Sequence, residues 1–218
     1  MIRKRLNELP VEEVANTLTH GFGLVLSIFG FLVLVVMASL GGEPVVIAGS
    51  VLYGISLIVL YAASTVYHVS TSLDLKKKLQ VVDHCCIYLL IAGSYTPFGL
   101  VLAGDAFGRG LLIGIWAFAL VGIAVKLVVG ARFPFINVMS YLVMGWLGAL
   151  AVQPLFEALG IMPVALAVAG GLAYTIGVIF FPLKFIRHHH AIFHLFVLAG
   201  SIFHYAAIVL YVVPRGTV

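Results

Sequence analysis

Apolar residues in this chain neither alternate nor fall into narrow amphipathic stripes; they come in long runs. Seven can be marked, at 17–40, 45–68, 81–103, 110–130, 135–153, 162–181 and 190–213. Each is about 20 residues long, the length an α-helix rising 1.5 Å per residue needs to cross roughly 30 Å of hydrocarbon. The punctuation is turn chemistry. Gly41-Gly42-Glu43-Pro44 parts the first run from the second, Pro134 precedes the fifth, Pro154 follows it and Pro182 closes the sixth, all residues that interrupt or start helices. Connections this short make consecutive helices antiparallel neighbours. The pattern predicts an all-α membrane protein, a seven-transmembrane helix bundle spanning residues 17–213. A segment of residues 1–16 precedes it and a short tail, 214–218, follows, with no repeat, low-complexity tract or second domain.

Composition removes the alternative of a soluble fold. Hydrophobic residues make up 63% and charged residues 9%, against roughly 45–50% and 25% in soluble domains. The cations then set orientation. Ten lie on one side: Arg3, Lys4 and Arg5, then Lys76, Lys77 and Lys78 between the second and third runs. Lys126 and Arg132 follow at the fourth-fifth turn, and Lys184 and Arg187 at the sixth-seventh. Arg109 and Arg215 are the two on the other side. The positive-inside rule predicts a cytoplasmic N-terminus and an external C-terminus in a multi-pass membrane protein. Loop placement makes the basic balance a matter of topology, with membrane lipids and not nucleic acid as partners; the lysine run can also meet anionic headgroups. Cys85 and Cys86 are adjacent in an apolar run and read as reduced packing residues. The first run is too long for a signal-peptide core and has no small-residue cleavage site after it, so it is expected to stay as an anchor.

Against this apolar background the histidines stand out. Four of the eight fall within His188-His189-His190-Ala191-Ile192-Phe193-His194, and His190 and His194 are spaced i, i+4, one turn apart on one helix face. His188 and His189, beside Arg187, read equally well as interfacial residues at a helix end. With the orientation above, the second helix ends in Ser64-Thr65-Val66-Tyr67-His68 at the same depth, Ser64 one turn deeper on the face of His68, and the third begins with Val81-Val82-Asp83-His84. Ionisable groups inside a membrane are expensive, so a shared layer of them is a functional hypothesis. Three imidazoles with a carboxylate and a hydroxyl nearby suit a catalytic-type zinc site with one position left for water. Zinc lowers the pKa of such a water to about 7. Asp83 would move the proton and Ser64 would hold the water or the developing oxyanion. The plainer readings are a carboxylate favoured by a helix N-terminus for Asp83 and a hydroxyl bonded to its own backbone for Ser64. His204 lies about 15 Å beyond His194 along the helix and is expected to bond a neighbouring helix. His84 is placed on another face, and His20 shares the depth but has no fixed rotation, so both stay outside the metal shell.

Ser64-x-x-x-His68, Asp83-His84 opening Asp-His-Cys-Cys-Ile-Tyr-Leu-Leu-Ile-Ala-Gly-Ser-Tyr-Thr-Pro-Phe, and His190-x-x-x-His194 together resemble the hemolysin III family, the bacterial branch of the progestin and adiponectin receptor superfamily. The resemblance runs from His20-Gly21 to the seventh helix. It implies a zinc held by His68, His190 and His194, with Ser64 and Asp83 beside the metal's water. Through the related alkaline ceramidases it also implies hydrolysis of a membrane lipid amide. Two other functions stay open at this point: a membrane sensor or homeostasis protein in which zinc clamps the second helix to the seventh, and a pore-forming cytolysin. Against a pore, no polar stripe runs from one face of the membrane to the other.

Overall fold

The computed structural model describes residues 9–130 and 132–215; Arg3, Lys4 and Arg5 and residues 216–218 lie outside them. Seven helices are long and apolar enough to cross a membrane. They are α1 (Val11–Gly41), α2 (Pro44–Val69), α3 (Leu73–Val101), α4 (Ala106–Val129), α5 (Pro134–Leu159), α6 (Ile161–Phe180) and α7 (His189–Arg215). Large apolar side chains such as Phe29, Leu40, Ile113, Val128, Phe135 and Ile179 point outward, as they should where the surrounding solvent is hydrocarbon.

Successive helices pack side by side, and α1 also packs on α7, which closes the ring. α3 is the most buried of the seven, lying against α2 on one side and α4 on the other. α4 turns one stripe inward, Gly108, Ile115, Ala119 and Lys126, positions that repeat at helical spacing. Small residues let these backbones approach, the usual means of packing where lipid is as apolar as the interface. A Cβ on Gly122 would strike the Tyr88 ring, and one on Gly93 would overlap Ser56 Oγ, a hydroxyl already held by Tyr53 O at 2.7 Å.

Three helices extend by six residues or more beyond their apolar runs, and α1 already starts at Val11, inside the segment that the sequence places before the bundle. α3 starts at Leu73, capped by the Ser72 hydroxyl, so Lys76, Lys77 and Lys78 form a charged opening turn rather than a loop. Hydropathy gives no signal for such a turn. α5 runs past Pro154, changing from α-helix (Pro134–Trp146) to a 3-10 turn (Leu147–Ala151) and back to α-helix (Val152–Leu159). A proline needs no N–H in the first turn of a helix, so Pro154 restarts the helix that it prevents from running through. The Tyr95 hydroxyl takes up the loose ends, accepting from Gly148 N and donating to Met144 O or Gly145 O.

The close α2–α3 contact predicts a difference between two glycines. Gly93→Ala should destabilise by about 1–3 kcal/mol, the cost of overpacking a tight interface. Gly114, with nothing within 4 Å of a new Cβ, should accept alanine at no cost or with a gain of up to about 1 kcal/mol in helix propensity. Thermal unfolding in detergent measures both.

Candidate metal centre

One end of the bundle collects the chemistry: there α2 stops while α1, α3 and α7 start. His68 falls in the last turn of α2 and is 2% exposed; Ser64, one turn earlier, is 1% exposed. α7 opens after His188, whose left-handed backbone (φ 59, ψ 26) reverses the chain. Ile192 N then bonds His188 O at 2.9 Å. His190 and His194 follow, one turn apart, with His194 2% exposed.

His68, His190 and His194 each offer a ring nitrogen, and these atoms lie within 4.8 Å of one another. The rings sit edge to face or tilted, with centroids 5.1 Å apart for His68 and His190, 5.0 Å for His68 and His194, and 4.5 Å for His190 and His194. His68 Nε2 is buried with no hydrogen-bond partner, a costly state for a polar atom unless something occupies it. Three convergent imidazoles, one with an orphaned nitrogen, are the donor set of a transition-metal site; calcium and magnesium ask for oxygens. The residues therefore fit a metal ion. His188 and His189 are not part of this group.

Asp83, buried, comes from α3 and lies beside the Ser64 hydroxyl. Both line a cavity of about 270 Å³ that also receives His190 and His194. The cavity runs along α3 from Asp83 to Leu102 and is walled elsewhere by α5, α6 and α7. Away from the histidine end its lining is mainly apolar, with residues such as Ile91, Leu142, Val168 and Val197 beside Ser94, Thr175 and His204. His84 faces this cavity together with Asp83, against the expectation of separate faces; neighbours on a helix are about 100° apart, and a broad cavity admits both. His204 lies towards the other end, where its Nε2–H donates to Ala167 O of α6 at 3.0 Å, the interhelical bond expected of it.

The sequence reading missed the part played by α1. Glu13 Oε2 is 2.7 Å from His68 Nδ1, while its Oε1 is 2.8 Å from Lys76 Nζ of α3. Thr19 Oγ1 lies 3.1 Å from His194 Nδ1. His20 Nδ1 is 2.7 Å from Ser64 Oγ, and the His20 ring stacks on His194 at 3.4 Å between centroids. The signal was present. Asn16, Thr17, His20, Gly23 and Ser27 are the buried residues in the first half of α1, a stripe of polar and small residues at helical spacing in an otherwise apolar helix. Lys126 was also misplaced. It belongs to the last turn of α4, not to a loop, is 0% exposed with Nζ unpartnered, and lies within charge range of Asp83 and His84.

Comparison with known proteins places this geometry in a family. A family model described as Haemolysin-III related matches residues 10–205, a span that includes the three histidines, Ser64, Asp83 and the α1 residues around them. Hemolysin-3 of Bacillus cereus is 39% identical over 213 residues, covering 98% of this chain and 97% of the relative. The Hemolysin-3 homolog of Bacillus subtilis (strain 168) is 42% identical over 190 residues, covering 87% and 89%. The human monocyte to macrophage differentiation factor is 31% identical over 205 residues, covering 90% and 83%. Matched from the start of α1 into α7 and carrying seven membrane-length helices, the chain belongs to the Haemolysin-III related family of multi-pass membrane proteins.

Proposed function

We propose that the protein is a zinc-dependent hydrolase of a membrane lipid amide, with its histidine cluster near the cytoplasmic face. The observation that carries this reading is the position of the three histidines. Two of them, His190 and His194, line the polar end of a cavity whose remaining length is mainly apolar and suited to an acyl chain, and His68 converges on the same point. A structural zinc is closed by four protein ligands; here three imidazoles converge, and two of them share their cavity with Ser64 and Asp83.

When bound, zinc would supply the activation of a water and the polarisation of the scissile carbonyl. The chain's own residues do the rest. Asp83 takes a proton from the attacking water and returns it to the departing amine nitrogen, one group serving as base and then acid. The Ser64 hydroxyl, held by His20 Nδ1 at 2.7 Å, is positioned to donate to the carbonyl oxygen as negative charge develops there. The apolar walls contributed by α3, α5, α6 and α7 hold the acyl chain and exclude bulk water.

Orientation is tested by reporter fusions. Reporters in the segment between α2 and α3 should be cytoplasmic, following the excess of Lys and Arg at the histidine end; an external location there would reverse the topology and the assignment of depth. The metal is tested by stoichiometry. The purified protein should hold one zinc per chain, lost in His190→Ala and His194→Ala and kept in His204→Ala. The chemistry is tested on Asp83→Asn, which is nearly isosteric and removes the charge. It should keep zinc and lower the release of amine from labelled lipid amides by about 10²–10⁴-fold, the worth of a positioned acid or base. Full zinc with unchanged turnover would remove Asp83 from the mechanism. A wild type that holds zinc and turns over no lipid amide would leave the clamp between α2 and α7 as the function of the metal.

A further inference from the structure

We propose that α1, which gives the metal no ligand, is the positioning element of the centre: Glu13 and Thr19 fix the tautomers of His68 and His194 so that both present a bare Nε2 to the ion. The consequence for metal affinity rests on the zinc reading; the tautomers themselves do not.

Two oxygens of α1 decide where the imidazole hydrogens sit. A carboxylate can only accept, so Glu13 Oε2, 2.7 Å from His68 Nδ1, requires the proton on Nδ1. The Nε2 lone pair is then free, which is why this buried nitrogen has no partner in the protein. A threonine hydroxyl has one hydrogen to give. Thr19 Oγ1 is 3.0 Å from Ala15 O and 2.9 Å from Asn16 O, carbonyls that only accept, so its hydrogen is committed to the backbone. With that hydrogen on the backbone, the hydroxyl accepts from His194 Nδ1, 3.1 Å away. In this arrangement His194 is also the Nδ1–H tautomer, with Nε2 bare. Two ligands from two helices are thus set by one turn and a half of a third.

The carboxylate is itself held in place. Glu13 Oε1 pairs with Lys76 at 2.8 Å, and the Lys76 ammonium lies 5.3 Å above the Tyr67 ring of α2. One side chain of α1 therefore ties the end of α2 to the opening turn of α3. Partners of this kind orient a ligating imidazole and raise its basicity, and their loss typically costs 10- to 100-fold in metal affinity.

The test reads the tautomers directly and the affinity separately. Nitrogen-15 NMR of the histidine-labelled, metal-free protein in lipid bilayers should show His68 and His194 as Nδ1–H tautomers, assigned by single-histidine substitutions. Glu13→Ala should release the tautomer of His68 and Thr19→Val that of His194. Each should weaken zinc binding by about 10- to 100-fold, measured by chelator competition. Glu13→Gln and Thr19→Ser keep an acceptor oxygen and should restore both properties, which a purely structural role for these residues would not require. Nε2–H tautomers in the wild type would overturn the proposal, as would zinc affinities in Glu13→Ala and Thr19→Val within about threefold of wild type. If the wild type shows the Nδ1–H tautomers and binds no zinc, the hydrolase reading falls and the positioning by α1 stands.

Discussion

A polar atom carried to hydrocarbon depth has no water to answer it, so every such atom in this bundle must be answered by another helix or by something bound. That constraint organises the histidine end. His68 is answered by Glu13, His194 by Thr19, and Ser64 by His20, so three residues of α1 satisfy three side chains from α2 and α7. The atoms left over are concentrated at the same end: His68 Nε2, His20 Nε2, His84 Nδ1, Lys126 Nζ and Asn137 Nδ2. An unpartnered buried ammonium is among the most expensive groups a protein can hold. Asp83 lies within range of the charge of Lys126.

The same constraint decides what could be read from the sequence. The spans were legible because the bilayer imposes a length and a hydropathy that need no tertiary context. The histidine trio was legible for a related reason. His190 and His194 share a helix, so their spacing alone fixes their relation. His68 and Asp83 were brought to them by depth, a coordinate that an antiparallel bundle of membrane-length helices makes readable. Rotation about each helix axis is the coordinate that was missing. His20 was known to lie at the right level, but what turns it inward is the packing of Gly23 on the ring of Tyr61, a tertiary contact with no local signature. Glu13 and Thr19 were hidden for the same reason. Lys126 was misread by a sound default, since a lysine beside a turn normally lies outside the hydrocarbon.

Polar links elsewhere in the bundle follow a different logic from those at the metal centre. Tyr61 and Tyr174 both reach Ser201 Oγ, at 2.8 and 3.0 Å, and Tyr53 reaches Ser201 O at 3.3 Å. Tyr205 donates to Gly30 O at 2.8 Å. These phenols bond backbone or small hydroxyls across α1, α2, α6 and α7, and each bond is worth about 0.6 kcal/mol on the scale measured in membrane bundles. Their number joins one half of the ring into a single body. α5 carries a comparable set: Ser140 pairs with Tyr88, Met144 O accepts from Tyr95 and Tyr141 donates to the His84 carbonyl of α3, while Trp146 donates to Thr175 of α6.

The break at Pro154 leaves α5 leaning on those bonds. A helix divided by a 3-10 turn cannot press a continuous ridge into its neighbours' grooves, and α5 accordingly meets α3, α4 and α6 only sparsely. On the side of α5 the cavity wall is thus held less by close backbone packing than on the side of α2, α3 and α7. Leu142, Trp146 and Val152 line it there. A covalent ring in one side chain thereby shifts the burden of holding one wall from shape to polar bonds.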